Sequence, residues 1–153
     1  MKKLLIILLC LPMVVLSQKT YVPDDAFESY LENNGMGKWL GTMPWDTFST
    51  ITYRYDVKEK QNYDIMTRLE EYLKSLNKPF NMFWVTEFTN YNYNTHNHLL
   101  LKGDIVDDIT CHLKSKSLIG KHYRHDPYVE GANMYVSKYI CDRKTNWSIS
   151  KNP

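Results

Sequence analysis

Three side chains able to bind a divalent metal lie close together in one stretch, Trp84 to Lys102 (WVTEFTNYNYNTHNHLLLK). Glu87 lies on the first of two predicted strands, and His96 and His98 open the second. Alternate residues of a strand point to the same face, so the two imidazoles share a face and the pairing strand can bring Glu87 alongside. Two imidazoles and a carboxylate make a metal site with open positions. An isolated His-X-His pair also fits a half-exposed strand, but Glu87 and the apolar run 99–101 favour a metal site.

A second group of reactive side chains follows in the stretch Tyr135-Val-Ser-Lys138-Tyr139. On a predicted helix, the spacing i, i+3, i+4 places all three on one face. A tyrosine hydroxyl, with a pKa of about 10, needs help to attack phosphorus. Lys138 could stabilise the phenolate or the phosphate charge, and a metal on that phosphate would add Lewis-acid polarisation. The alternative is a helix whose two tyrosines only pack on the sheet. Together, the metal residues and the tyrosine helix predict a phosphoryl-transfer site.

The elements that must position these residues alternate between strands and helices. The sequence predicts strands over residues 47–55, 80–88, 96–102 and 121–129, and helices over residues 61–76, 104–115 and 131–142. The order β-α-β-β-α-β-α is typical of an α+β fold, in which a split βαβ unit forms an antiparallel sheet as in ferredoxin-like and RRM-like domains. We expect the helices on one face of this sheet and the hairpin with the metal residues in its middle.

The N-terminal region has a different character from the rest of the chain. Lys2 and Lys3 precede an apolar run, 4–16, which is the layout of a secretory signal peptide and too short to span a bilayer comfortably. Residues 1–37 resemble the leader and first mature helix of bacterial secreted surface proteins of the leucine-rich-repeat type. The predicted organisation is a leader over 1–17, a short helix and linker over 18–46, a catalytic domain over 47–142 and a flexible tail over 143–153.

Composition is that of an ordinary globular chain, since 43% of its 153 residues are hydrophobic and 24% are charged. Aromatic residues reach 14%, with 12 tyrosines, which suits base stacking, carbohydrate binding or a tyrosine-lined core. The net charge of +2 gives no argument for a nucleic-acid partner. After the leader, Cys111 and Cys141 could form one disulfide on export or stay reduced in the cytosol.

Three short motifs in order resemble those of the HUH endonucleases. Phe48 to Thr52 (FSTIT) is similar to the first family motif, His96-Asn97-His98 to the second, and Tyr135-Val-Ser-Lys138 to the third. Within that superfamily, residues 47–142 look like the rolling-circle replication initiator (Rep) proteins of small phages, single-stranded DNA viruses and plasmids. Asn97 stands where the family usually has a hydrophobic residue, and Asp142 stands where some relatives have a second lysine.

The resemblance implies a metal-dependent DNA nickase and strand transferase. Glu87, His96 and His98 would bind Mg²⁺ or Mn²⁺, and Tyr135 would attack the scissile phosphate of single-stranded DNA at a replication origin. The products would be a 5′-phosphotyrosine and a free 3′-OH that primes rolling-circle replication. Lys138 would offset phosphate charge, and Tyr139 is the candidate second nucleophile. Host replication proteins are candidate partners, and no membrane partner is expected beyond the leader.

Two weaker features and two rival functions complete the interpretation of the sequence. Lys121 and Arg124 could contact phosphates on the last predicted strand, although a solvated strand face explains them equally well. A Rep protein acts in the cytoplasm, whereas the leader predicts export. The rivals are therefore a secreted tyrosine-rich binding module and a non-functional fusion, in which the Rep region of a mobile genetic element has joined a secreted-protein leader.

Overall fold

The computed structural model describes residues 35–87, 95–140 and 145–153. Its strands are β1 (Thr47–Tyr53), β2 (Phe80–Glu87), β3 (His96–Lys102), β4 (Ile119–Pro127) and β5 (Trp147–Asn152). Its helices are α1 (Gly37–Gly41), α2 (Glu59–Ser75), α3 (Val106–Ser115) and α4 (Ala132–Ser137). The predicted leader, the helix after Pro23, most of the predicted hairpin turn, Cys141 and Asp142 lie outside the described residues.

The strands form one antiparallel sheet in the order β4-β1-β3-β2-β5. β1 and β3 are central neighbours, and β2 returns beside β3 through the hairpin. This arrangement confirms the predicted α+β class with a split βαβ sheet, because β1 and β2 flank β3 and are joined through α2. No helix within the described part of the chain is long and apolar enough to cross a bilayer.

One face of the sheet is covered by α2 and α3. Period-two alternation turns Ile51, Trp84 and Leu99 to this side, and the apolar stripe of α2 packs on them. The remaining buried members of this cluster are Met66, Leu69, Leu73, Phe80, Met82, Leu101, Ile105, Ile109, Leu113 and Ile119. This is the larger of the two cores, and it holds the sheet rigid from behind.

The opposite face is covered by α1 and α4, so the prediction that all helices lie on one face was wrong. Val136 of α4 and Leu40 of α1 pack on Val85 and Leu100 of the sheet. The predicted linker over residues 38–46 is likewise part of the fold. Leu40 is fully buried, and Trp45 donates its indole N–H to the Leu40 carbonyl at 2.8 Å. Two apolar residues separated by a turn were enough to anchor this segment, although no periodicity predicted it.

Residues 147–152, predicted as part of a flexible tail, form the edge strand β5. It pairs with β2 from Phe80↔Asn152 to Val85↔Trp147. Backbone pairing with an open strand edge needs no strong side-chain pattern, which explains why a polar segment was misread. The last helix was also predicted too long. α4 ends at Ser137, and i→i−3 hydrogen bonds from Tyr139 and Ile140 continue it as a tight turn.

Candidate metal and tyrosine site

The sheet register places the three predicted metal-binding side chains on the face covered by α1 and α4. Glu87 lies directly opposite His96, and Val85 lies opposite His98. Directly opposed residues of an antiparallel pair share a face, so Glu87, His96 and His98 lie together, as the strand alternation predicted. Leu99 and Leu101 point to the opposite face, where they are fully buried and anchor β3 in the larger core.

Glu87 and His98 are hydrogen-bonded. His98 Nε2 lies 3.0 Å from Glu87 Oε2, and the imidazole is almost fully buried. Burial lowers the pKa of both His98 and His96, although the Glu87 charge opposes it. Burial alone would raise the pKa of Glu87, but hydrogen bonds with His98 and Tyr139 outweigh it and the pKa is lowered. Both imidazoles are therefore neutral and the carboxylate charged near pH 7, which are the protonation states that a metal requires of these ligands.

Two threonines of β1 hold the imidazoles from behind. Thr50 Oγ1 lies 3.2 Å from His98 Nδ1, and Thr52 Oγ1 lies 2.7 Å from His96 Nδ1. Hydrogen bonds to Nδ1 leave Nε2 as the outward nitrogen, which is how metal-binding histidines are usually oriented. The sequence showed the FSTIT strand beside the site but not these hydroxyls. Threonines two apart on a strand, paired with His-X-His, are the signal that could have found them.

The described residues contain no group of three or more His, Cys, Asp or Glu side chains already arranged to hold a metal ion. The donor chemistry nevertheless fits a small divalent cation, since two neutral imidazoles and one carboxylate lie on one face. The Glu87–His98 hydrogen bond uses His98 Nε2–H, whereas metal binding requires the Nδ1–H tautomer. Thr50 suits both tautomers, because a hydroxyl can donate or accept.

The two candidate tyrosines lie above the histidines. Tyr135 is on α4 and is 43% exposed, and Tyr139 follows in the tight turn. The Tyr139 hydroxyl donates to the Tyr135 hydroxyl at 3.1 Å. The His98 ring stacks on Tyr139 and meets the edge of Tyr135, with ring centroids 5.3 Å apart in both cases. Phe48 of β1 supports the group from below, with its ring 5.8 Å from His98. The tyrosine and histidine motifs therefore form one site.

Lys138 lies over the two tyrosine rings. Its Nζ is 3.9 Å from the centroid of the Tyr135 ring and 4.5 Å from that of Tyr139. A cation over an aromatic face is attracted by the ring quadrupole. The ammonium group therefore lies beside the phenols, where it can also offset negative charge that arrives there.

A protein-family model described as replication-associated protein ORF2 matches residues 46–144. The match covers 99 of the 153 residues and includes β1, the histidine pair and both tyrosines. The chain belongs to this family of replication-associated proteins. No curated protein and no solved structure gives a significant match to it.

Asn97, the departure within the histidine motif, has a structural role in this replication-associated protein. It points away from the site and is fully buried under α2. Thr86 donates to its Oδ1 at 2.8 Å, and its Nδ2 donates to Asn62 Oδ1 and to the Tyr53 hydroxyl, both at 2.8 Å. Asn62 donates to Thr86 at 2.6 Å, which closes a ring of hydrogen bonds. A polar residue is tolerated at this buried position because every partner is buried with it.

The two predicted phosphate contacts differ in what the structure says of them. Arg124 on β4 pairs with Thr50, which pairs with His98, so Arg124 lies on the site face. Its side chain is largely exposed and forms an ion pair with Asp126 at 2.7 Å. The backbone of Lys121 belongs to β4, but its side chain is outside the described part of the structure.

Proposed function

We propose that this replication-associated protein is a single-stranded DNA endonuclease and strand transferase of the HUH type, which initiates rolling-circle replication. The observation that carries the proposal is the meeting of two distant motifs. His98 touches both Tyr135 and Tyr139, although the motifs lie almost forty residues apart in the sequence. Purely structural tyrosines would have no reason to expose a hydroxyl above a carboxylate and two imidazoles.

Tyr135 is the proposed nucleophile. Its phenolic oxygen forms a bond to the scissile phosphorus, the bond from phosphorus to the 3′ oxygen breaks, and that oxygen takes up a proton to become a free 3′-OH. The phenolic proton leaves to solvent. The product is a 5′-phosphotyrosine that is later resolved by attack of another 3′-OH. Tyr135 suits this role because its side chain is the more exposed of the two.

Three side chains support the attack from around Tyr135. Mg²⁺ or Mn²⁺ held by Glu87, His96 and His98 would supply Lewis-acid polarisation of the phosphate. Tyr139 donates a hydrogen bond to the attacking oxygen, which stabilises negative charge as it builds there. Lys138 offers its ammonium group beside both rings, where it offsets phosphate charge. Arg124, and Lys121 on the same strand, are the proposed contacts to phosphates farther along the DNA.

The proposed partner is single-stranded DNA at a replication origin, with host replication proteins acting on the free 3′-OH. This reaction belongs in the cytoplasm, where DNA is replicated. In that setting the predicted leader is explained by a gene fusion, and Cys111 and Cys141 remain reduced.

The test is a covalent-adduct assay on the full 153-residue chain. The protein is incubated with Mn²⁺ and a fully randomised pool of single-stranded oligonucleotides, and denaturant-resistant protein–DNA species are mapped by mass spectrometry. We expect an adduct on Tyr135 that is lost in Tyr135→Phe and in excess chelator. Tyr63→Phe, which alters an exposed tyrosine of α2, is the matched control and keeps full activity.

Three results would overturn the proposal. An adduct on another residue would reject Tyr135 as the nucleophile, and an adduct formed in excess chelator would reject the metal. A randomised pool contains the cognate sequence, so the absence of any adduct in the presence of Mn²⁺ would reject the nickase. The secreted binding module would then be the hypothesis to pursue.

A further inference from the structure

Five residues form one row across the site face, perpendicular to the strands. Arg124 pairs with Thr50, Thr50 with His98, His98 with Val85, and Val85 with Trp147. Each pair is directly opposed in an antiparallel ladder, so all five side chains leave the sheet on the same face. The row therefore runs from an arginine on one edge strand, through the candidate site, to a tryptophan on the other edge strand.

Trp147 is an unusual residue for its position. It lies beyond residues 46–144, which match the family, and its side chain is 38% exposed. Its ring contacts only the rim of the apolar cluster, at 6.4 Å from the Phe83 ring and tilted by 37°. By contrast, Trp45 and Trp84 are buried. Burying a tryptophan is favourable, so one left open beside a candidate site is available for a ligand.

The surroundings of Trp147 indicate the chemistry of that ligand. Ile149 and Lys151 follow at alternate positions on β5, so both share its face and both are exposed. An aromatic ring next to a cation, with Arg124 at the far end of the row, suits a strand that carries both bases and phosphates. A purely apolar partner would leave the two cations without a role.

We propose that Trp147 is a base-stacking platform that holds single-stranded DNA across the sheet beside the scissile phosphate. The inference rests on the proposed function, because it takes the DNA from that site. Two strand spacings separate Trp147 from His98, or about 10 Å, and the whole row spans about 19 Å. One base stacks on the indole face, the phosphates run past His98, and Arg124 contacts the backbone on the other side. Stacking on an indole tolerates any base, so Trp147 contributes affinity rather than sequence choice.

The experiment separates binding from chemistry by using Tyr135→Phe as the background. Binding of a fluorescein-labelled oligo-dT to the full chain is followed by anisotropy at low salt. We expect Trp147→Ala to weaken binding by about tenfold, the size typical of one stacked base. Trp147→Leu keeps apolar cover over Phe83 but cannot stack, so it weakens binding to a similar extent even where the alanine variant folds poorly. Trp147→Phe retains most of the affinity.

The matched control is Trp39→Ala, which removes the exposed tryptophan of α1. It leaves the affinity for oligo-dT unchanged. A second readout places 2-aminopurine at successive positions of the oligonucleotide. At one position its fluorescence is quenched by the protein, and the quenching disappears in Trp147→Leu.

Each remaining outcome decides against one proposal. Folded Trp147→Leu that binds as tightly as the background would overturn the stacking role, and so would equal weakening by Trp39→Ala. A dimer that dissociates on Trp147→Leu, with unchanged DNA affinity, would assign this edge to self-association. If oligo-dT binding depends on Trp147 but wild-type protein forms no adduct, the nickase fails and the stacking role stands.

Discussion

The hydroxyl of Tyr139 donates a hydrogen bond to the hydroxyl oxygen of Tyr135 at 3.1 Å. The two phenols are therefore not equivalent. Burial, followed by the interactions with Tyr135 and Glu87, raises the pKa of Tyr139 well above its usual range. Tyr135 is exposed and accepts the hydrogen bond. This asymmetry supports Tyr135 as the proposed nucleophile and Tyr139 as the residue that orients it.

Removing the Tyr139 hydroxyl should slow the proposed reaction without abolishing it. One hydrogen bond contributes about 1 kcal/mol, so we expect Tyr139→Phe to form the Tyr135 adduct about three- to tenfold more slowly. Single-turnover adduct formation with saturating Mn²⁺ measures this rate. Complete loss of the adduct in Tyr139→Phe, with survival in Tyr135→Phe, would exchange the two roles.

Thr52→Val should weaken the response to metal. The variant keeps the shape of the side chain but loses the contact with His96 Nδ1, which orients the imidazole. Losing such a support typically lowers metal affinity by at least about tenfold, so half-maximal adduct formation should need about ten times more Mn²⁺. Thr52→Ser should restore the response. Thr47→Val, on the opposite face of the same strand, serves as the control, and an equal shift there would refute the argument.

Replacing Asn97 with the hydrophobic residue usual in the family should destabilise this chain. Asn97→Leu leaves the polar groups of Asn62 and Thr86 buried without their partner, at a cost of about 1–3 kcal/mol. Urea unfolding measures the change. Replacing Asn62, Thr86 and Asn97 together with Leu, Val and Leu should recover part of the loss, because the apolar set needs no hydrogen bonds. A single variant as stable as the wild type would argue against the network.

His125 should make stability depend on pH. Ser49 Oγ lies 2.5 Å from its Nδ1, and burial lowers its pKa from 6.5 to about 4. The unfolded chain binds a proton more readily between these values, so stability is complete above about pH 6.5 and falls as pH drops towards 4. Partial exposure reduces the effect to about 1–2 kcal/mol.

The measurement for His125 is a difference between two unfolding profiles. His125→Gln should lose less stability than the wild type over the same pH window, while the contributions of the other histidines cancel. Parallel profiles for the two proteins would show that His125 does not titrate differently in the folded and unfolded states.

Local pattern was sufficient for the strands that carry the candidate metal ligands. The HNHLLL run and the apolar residues before Glu87 each follow a period of two, and the short connection between them makes a hairpin the natural pairing. Their metal-binding role stays a prediction. Pattern was insufficient for α1 and β5, because a few buried side chains in one case and backbone pairing in the other hold them in place.

The sequence by itself determined that Glu87, His96 and His98 face the same way, since strand alternation depends only on spacing. It also determined that Tyr135, Lys138 and Tyr139 lie on one side of a helical turn. Only the tertiary structure decided that α4 covers the histidine face, and that Trp147 and Arg124 complete a row through His98. Those contacts join segments far apart in the chain. They follow from apolar packing and strand pairing across the whole sheet, which no local periodicity specifies.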